Sequence, residues 1–279
     1  MILYTLVENT SIRPDFPGEH GLSFLLRTTS RNILFDMGGS ALFWENASRL
    51  GVDLAQVDYA VISHGHNDHG GGLRTFLDRN KTAKVYLSPH AFEGHYSGRK
   101  TEWLDVGLDP SLAFHSRIVP VPSDVAIDEA AFLFGNVKGP THFPSRNANL
   151  FKDGPKGRIP DDFDHEIHLA VREGKQRILL IGCAHTGVVN ILRHFHQLFG
   201  DYPTHVIGGF HFSSRSSPIG EDPEVVKDIA KILKETGSVF WTGHCTGTEA
   251  YQIMKPIMGN HLQELYAGKK INISSEETK

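Results

Sequence analysis

An α/β fold is predicted by three features of this chain. Short β-rich apolar runs alternate with stretches of helical periodicity along most of its length. No internal repeat or low-complexity segment interrupts that alternation, so a single domain over 1–279 fits it best. A length of 279 residues with 39% hydrophobic content also supports a core large enough to fold without covalent staples.

The elements follow in chain order. "ILYTLVEN", "LSFLLRTT" and "NILFDMG" read as three strands in hairpin-like succession, with a helix over 41–50 behind them. "DYAVISH" reads as a buried strand. The segment 71–79 reads as a helix with Leu73, Phe76 and Leu77 at spacings of three and four, and "AKVYLSP" returns to the sheet. From about 90 to 160 the chain is rich in Gly, Pro and aromatics with weak periodicity, which predicts an irregular insertion or lid. "HEIHLAVRE" and "QRILLIGCAH" resume the strand pattern. A helix through Leu198 follows, its Val188, Ile191, Leu192, Phe195 and Phe199 on one face. "THVIGGFH" and "SVFWTGHC" are two more strands, each leading into a histidine.

Composition narrows the functional classes. The net charge is −4 and no long Lys/Arg cluster occurs, so a nucleic-acid partner is not expected. No basic leader precedes the first apolar patch and no apolar run reaches membrane-spanning length, which predicts a cytoplasmic protein with no membrane partner. Two cysteines, Cys183 and Cys245, are too few for a secreted disulfide framework. A small-molecule substrate is the expected partner. Seventeen histidines is the anomaly that needs a chemical reason.

"VISHGHNDHGGGL" concentrates that anomaly, with His64, His66, Asp68 and His69 within six positions after an apolar run. On an extended segment His64 and His66 point to one side and can share a metal ion; Asp68 and His69 offer a second, mixed N/O set suited to zinc, manganese or iron. Imidazoles and a carboxylate packed at a buried strand end without a ligand would carry an unsatisfied polar cost. Gly65 and Gly70 to Gly72 let side chains converge and let the next helix pack closely. Four such residues cannot close two sites. The remaining donors are expected from the strand ends at His185, His211 and His244. Other histidines, among them His90, His95, His194 and His196, are expected to be surface or hydrogen-bonded core residues.

"SHGHNDHGGGL" resembles the HxHxDH signature of the metallo-β-lactamase superfamily, and "ILFDMG" resembles the strand whose terminal aspartate supports the site in that superfamily. "EHGLSFLL", "NASRLGVDLAQVDYAVISHGHNDHGGGL", "GCAHTGVVNIL", "HVIGGFHF" and "GHCTGTEA" together resemble one subgroup, the ribofuranosylaminobenzene phosphate synthase-like metal-dependent hydrolases, over roughly 20–250. The resemblance implies a four-layer αββα sandwich, two mixed β-sheets with helices outside and a dinuclear metal site along one edge. It implies His64, His66 and His185 as ligands of the first divalent ion, and Asp68, His69 and His244 as ligands of the second. Zinc is the expected metal, with manganese or iron as alternatives. Asp36 would accept a ring N–H from a ligand histidine and fix its tautomer.

This sequence departs from the superfamily at His211, where many members place an aspartate whose oxygens can bridge two metals. A neutral imidazole has one lone pair, so His211 is open as a terminal ligand, a proton donor to a leaving group or a substrate contact. Asp68 would both ligate and orient the nucleophile, and with His211 forms the expected catalytic pair. His20, Ser213, Arg215 and Thr246 are expected substrate contacts, the last three as phosphate-binding chemistry. Cys183 and Cys245 are expected to be small packing residues beside the site. The acidic run Asp162, Asp164, His165, Glu166 is expected to be solvated. Three functions follow. A hydrolase would use water activated by two divalent ions on a small, phosphorylated or pterin-like substrate; a synthase would join an aminobenzoate-type ring to a phosphoribosyl donor; a sensor would bind without turnover.

Overall fold

The computed structural model describes residues 1–99, 102–139, 141–214 and 220–273. Two seven-stranded mixed sheets dominate it. The first runs, edge to edge, Lys270–Asn272, Ile2–Val7, Ser23–Arg27, Asn32–Phe35, Tyr59–Val61, Lys84–Leu87 and Ile118–Pro120. The second runs Leu262–Glu264, Val239–Thr242, His205–Gly208, Gln176–Leu180, Ile167–Glu173, Ala131–Gly135 and Val125–Ala126. Each sheet combines antiparallel hairpins with parallel strands, the latter joined through helices.

Alternation along the strands separates two packing faces, because successive side chains leave a strand on opposite sides. Phe24 and Leu26 of one strand, Ile33 and Phe35 of the next, and Ile178 and Leu180 of the other sheet meet in the core between the sheets. Leu25 and Leu34 point the other way, onto the helices Leu42–Arg49 and Leu73–Arg79. Leu179 and Val206 face the helices Val188–Phe199, Pro223–Glu235 and Thr248–Met258. Three buried apolar layers between four layers of structure make an αββα sandwich.

The segment expected to be irregular carries strands. His95–Arg99, Glu102–Asp105, Leu150–Gly154 and Gly157–Pro160 form a separate four-stranded antiparallel sheet. Ile118–Pro120, Val125–Ala126 and Ala131–Gly135 extend the two main sheets. Strands such as Glu102–Asp105 are exposed along their whole length, so the alternation that marks a half-buried strand is missing from their sequence. Among the described residues no helix is long and apolar enough to cross a membrane.

Candidate metal centre

Five parallel strands deliver the site residues from their carboxyl ends. Asp36 follows Asn32–Phe35, the turn from His64 to His69 follows Tyr59–Val61, and His185, His211 and His244 follow Gln176–Leu180, His205–Gly208 and Val239–Thr242. Asp36, His211 and His244 hold the left-handed backbone conformation, with φ of 57°, 53° and 50°. That region is costly for side-chain-bearing residues and persists where the surroundings fix it.

The structure brings the expected residues into one cluster. Ring centroids of His64 and His66 lie 4.6 Å apart, and each lies 4.9 Å from His185. His69 Nε2 is 3.3 Å from His244 Nε2, which is 3.3 Å from Asp68 Oδ2. His20 joins this second group, its Nε2 3.2 Å from Asp68 Oδ2. His211 packs on His185 at 4.1 Å between centroids. Several of the nitrogens have no hydrogen-bond partner although they are buried: Nε2 of His64, His66 and His185, and both ring nitrogens of His211. Buried polar atoms are normally paired, so four unpaired imidazoles converging on one place fit a donor set for a divalent ion.

Supporting contacts fix the rings from behind. Asp36 Oδ2 accepts from His69 Nδ1 at 2.7 Å and from the Ser63 hydroxyl at 2.8 Å, while its Oδ1 accepts the Ser63 N–H at 2.7 Å. The Ser63 hydroxyl also meets His64 Nδ1 at 2.8 Å. Asn147 Oδ1 holds His185 Nδ1 at 3.0 Å and Asn9 Oδ1 holds His244 Nδ1 at 2.8 Å. In a neutral ring, donating through Nδ1 leaves the lone pair on Nε2. Two buried glutamates carry the loops themselves. Glu166 accepts the N–H groups of His185 and Thr186, and Glu8 accepts the N–H of His244. Phe163 stacks flat on His185, 4.5 Å away and inclined by 3°.

Electrostatics split the cluster in two. Burial, reinforced by neighbouring imidazoles, holds His64 and His185 well below the ordinary histidine range. Burial and the adjacent His165 do the same for His66. These rings are neutral and available as ligands. Burial also opposes charge on His69, yet the Asp36 and Asp68 carboxylates outweigh it and push that ring up to about 9. Burial would raise Asp68, but His69, His20 and His244 hold its carboxyl well below the usual range.

A cavity of about 290 Å³ opens over the cluster, lined by His20, Asp68, His185, His211, His244 and Ser213 among others. Leu104, Val106 and Leu150, from or beside the four-stranded sheet, supply an apolar wall. Thr246 takes no part in that lining. It is fully buried, its hydroxyl bonded to Phe210 N at 3.0 Å and to the Thr242 hydroxyl at 2.5 Å, because the turn after His244 folds it under the strand ends. Arg215 lies outside the described residues.

The run 161–166 is not uniformly solvated. The Asp162 side chain is 63% exposed, but Asp161, His165 and Glu166 are buried. His165 Nδ1 accepts the Gly65 N–H at 2.9 Å, which leaves Nε2 to donate to Asp161 Oδ2 at 3.2 Å. His95 Nδ1 meets the same oxygen at 3.2 Å. Charge density alone suggested a solvated face; the readable signal was the apolar strand that begins at Ile167, directly after the run. Asn9 and Asn147 lie too far from the ligands in sequence to be seen before folding.

Comparisons with known proteins agree with this geometry. The chain is 28% identical to the 7,8-dihydropterin-6-methyl-4-(β-D-ribofuranosyl)-aminobenzene-5'-phosphate synthase of Methanocaldococcus jannaschii, over 96% of this chain and 95% of that one. It is 26% identical to an uncharacterized protein of the same organism, over 96% and 98%. Among solved structures it superposes on Tm1679, a metal-dependent hydrolase of the β-lactamase superfamily, with a TM-score of 0.82 and 29% identity over 99% of this chain and 100% of that one. A model of the metallo-β-lactamase superfamily matches residues 17–217, which take in Asp36, the histidine-rich turn, His185 and His211. With its αββα sandwich and its histidine-bearing strand ends, this chain belongs to the metallo-β-lactamase superfamily.

Proposed function

We propose that this protein is a hydrolase of a small substrate, dependent on two divalent cations. His64, His66 and His185 would hold the first, and Asp68, His69 and His244 the second. The observation that carries this reading is the convergence of buried, unpartnered imidazole nitrogens beneath one cavity. Cations bound there supply two things: a lowered pKa for water and polarisation of a carbonyl or phosphoryl oxygen.

The chain's own groups do the rest. Asp36, Asn147 and Asn9 set the tautomers of His69, His185 and His244. His211 lies at the cavity edge with both nitrogens free, placed to hand a proton to a departing atom. Asp68 orients the attacking oxygen. The hydroxyl of Ser213 and the ring of His20 face the polar side of the substrate, and Leu104, Val106 and Leu150 exclude water from the other. Zinc fits the imidazole-rich donor set.

The 28% identity to a synthase over nearly the full length of both chains supports a second reading, a synthase of the ribofuranosylaminobenzene phosphate type. One experiment separates them. Phosphodiesters, phosphomonoesters, lactones and thioesters are assayed with metal-replete and chelated protein, alongside pyrophosphate release from a phosphoribosyl donor with acceptor present. Cation-dependent hydrolysis supports the first reading. Pyrophosphate release without hydrolysis replaces it with the second, and retained hydrolysis after complete chelation contradicts it.

A further inference from the structure

Cys183 lies two residues before His185 and is buried in the middle of the cluster. Its Sγ is 3.1 Å from His69 Nε2. It also falls within 4.8 Å of the donor nitrogens of His64 and His185 on one side, and of His69 and His244 on the other. These pairs belong to the two halves of the histidine cluster, and one sulfur serves both. Nε2 of His64 and of His185, each on a ring at least nine-tenths buried, have no hydrogen-bond partner beside it.

The spacing suits coordination. Bonds of about 2.0–2.1 Å to nitrogen and about 2.3 Å to sulfur give a tetrahedral site donor-to-donor edges of roughly 3.4–3.6 Å. The His69–His244 edge of 3.3 Å and the His69–Cys183 edge of 3.1 Å are close to this. Cys245 is engaged differently: its sulfur accepts the backbone N–H of His211 at 3.3 Å and its S–H faces the Cys183 carbonyl at 3.7 Å. It packs against Gly209, where a Cβ would come within 2.4 Å of its sulfur.

We propose that Cys183 is a thiolate ligand shared by the two cation positions. It supplies the anionic bridge that an imidazole at 211, with one lone pair, cannot make. On coordination the S–H bond breaks, its proton leaves to water and a sulfur–cation bond forms, with no change of oxidation state. A soft sulfur donor also favours zinc or iron over manganese or magnesium. The inference rests on the reading of this cluster as a cation centre.

X-ray absorption at the zinc edge of the zinc-loaded full-length protein tests it. A sulfur scatterer at about 2.3 Å is expected in the wild type and in Cys245→Ser, and its loss in Cys183→Ser. Cobalt(II) in place of zinc should show a near-ultraviolet sulfur-to-metal charge-transfer band with the same dependence on position 183. Zinc uptake with nitrogen and oxygen scatterers alone overturns the proposal but leaves the cation centre standing, as does a sulfur shell that disappears with Cys245→Ser. Absence of any zinc uptake overturns both. The wild-type and Cys245→Ser spectra decide even where Cys183→Ser does not fold.

Discussion

Asp36 is the residue on which the second half of the cluster turns. One carboxylate, buried beneath the sheet ends, receives the His69 ring N–H and both the hydroxyl and the backbone N–H of Ser63. Asp36→Asn keeps the shape but puts an amide N–H where an acceptor is needed; cation affinity, measured by competition with a chromophoric chelator, should fall about 10–100-fold. His66→Ala and Asp68→Ala should lose cation binding and turnover together. Protonation gives a further test in cation-free protein. His69, raised to about 9, contributes stability that is complete below the unfolded pKa of about 6.5 and is lost as pH rises through about 9, on the order of 3 kcal/mol. His64, His66 and His185 are held below 6.5, so the unfolded chain takes up protons that the native one does not, and stability also falls as pH drops below about 6.5. Thermal midpoints measured in chelator should therefore fall as pH is lowered from about 6.5 to 5. A flat profile would contradict the protonation states described above.

Individual elements explain how the residues reach those states. The turn from Ser63 to His66 is clamped on one side by Asp36 and on the other by His165, which accepts the Gly65 N–H and is itself held by Asp161. Burial pushes Asp161 up, but its bonds to His165 and His95 bring the carboxyl far below the usual range. Asp161→Asn should weaken cation binding about tenfold or more while far-ultraviolet circular dichroism stays unchanged. Gly71 and Gly72 have ordinary helical angles, so conformational freedom is not their role; close approach is. A Cβ on Gly72 would lie 2.4 Å from the Met37 carbonyl, and Gly72→Ala should cost about 1–3 kcal/mol in chemical denaturation. At this scale the sequence was most readable where both signals coincided, periodicity and ligand chemistry, as in "DYAVISHGHNDHGGGL". It was least readable at Glu102–Asp105 and at Asp161–His165. An exposed strand carries no burial pattern, and a buried polar network looks like a solvated run until its partners are known.

The whole molecule is needed to make one site. Asp36, His64, His66, Asp68 and His69 come from the first sheet and its following turns, while His185, His211 and His244 come from the second. The core between the sheets, from Phe24 and Phe35 across to Leu180 and Ile207, sets the distance at which these donors meet. Each histidine was legible locally as a strand-end residue. Their supports at Glu8, Asn9 and Asn147 were not, because hydrogen bonds that span 38 to 236 residues exist only after the sandwich closes. A ligand that binds only the closed state should stabilise it, by about 2.7 kcal/mol at a hundredfold excess over its dissociation constant. The most direct measurement is equilibrium dialysis of the full-length protein against zinc, with elemental analysis of wild type, His185→Ala and His244→Ala. Two cations per wild-type chain, falling to one or none in each variant, are predicted. A wild-type chain that retains no cation, or variants that retain as many as the wild type, would contradict a centre assembled from both sheets.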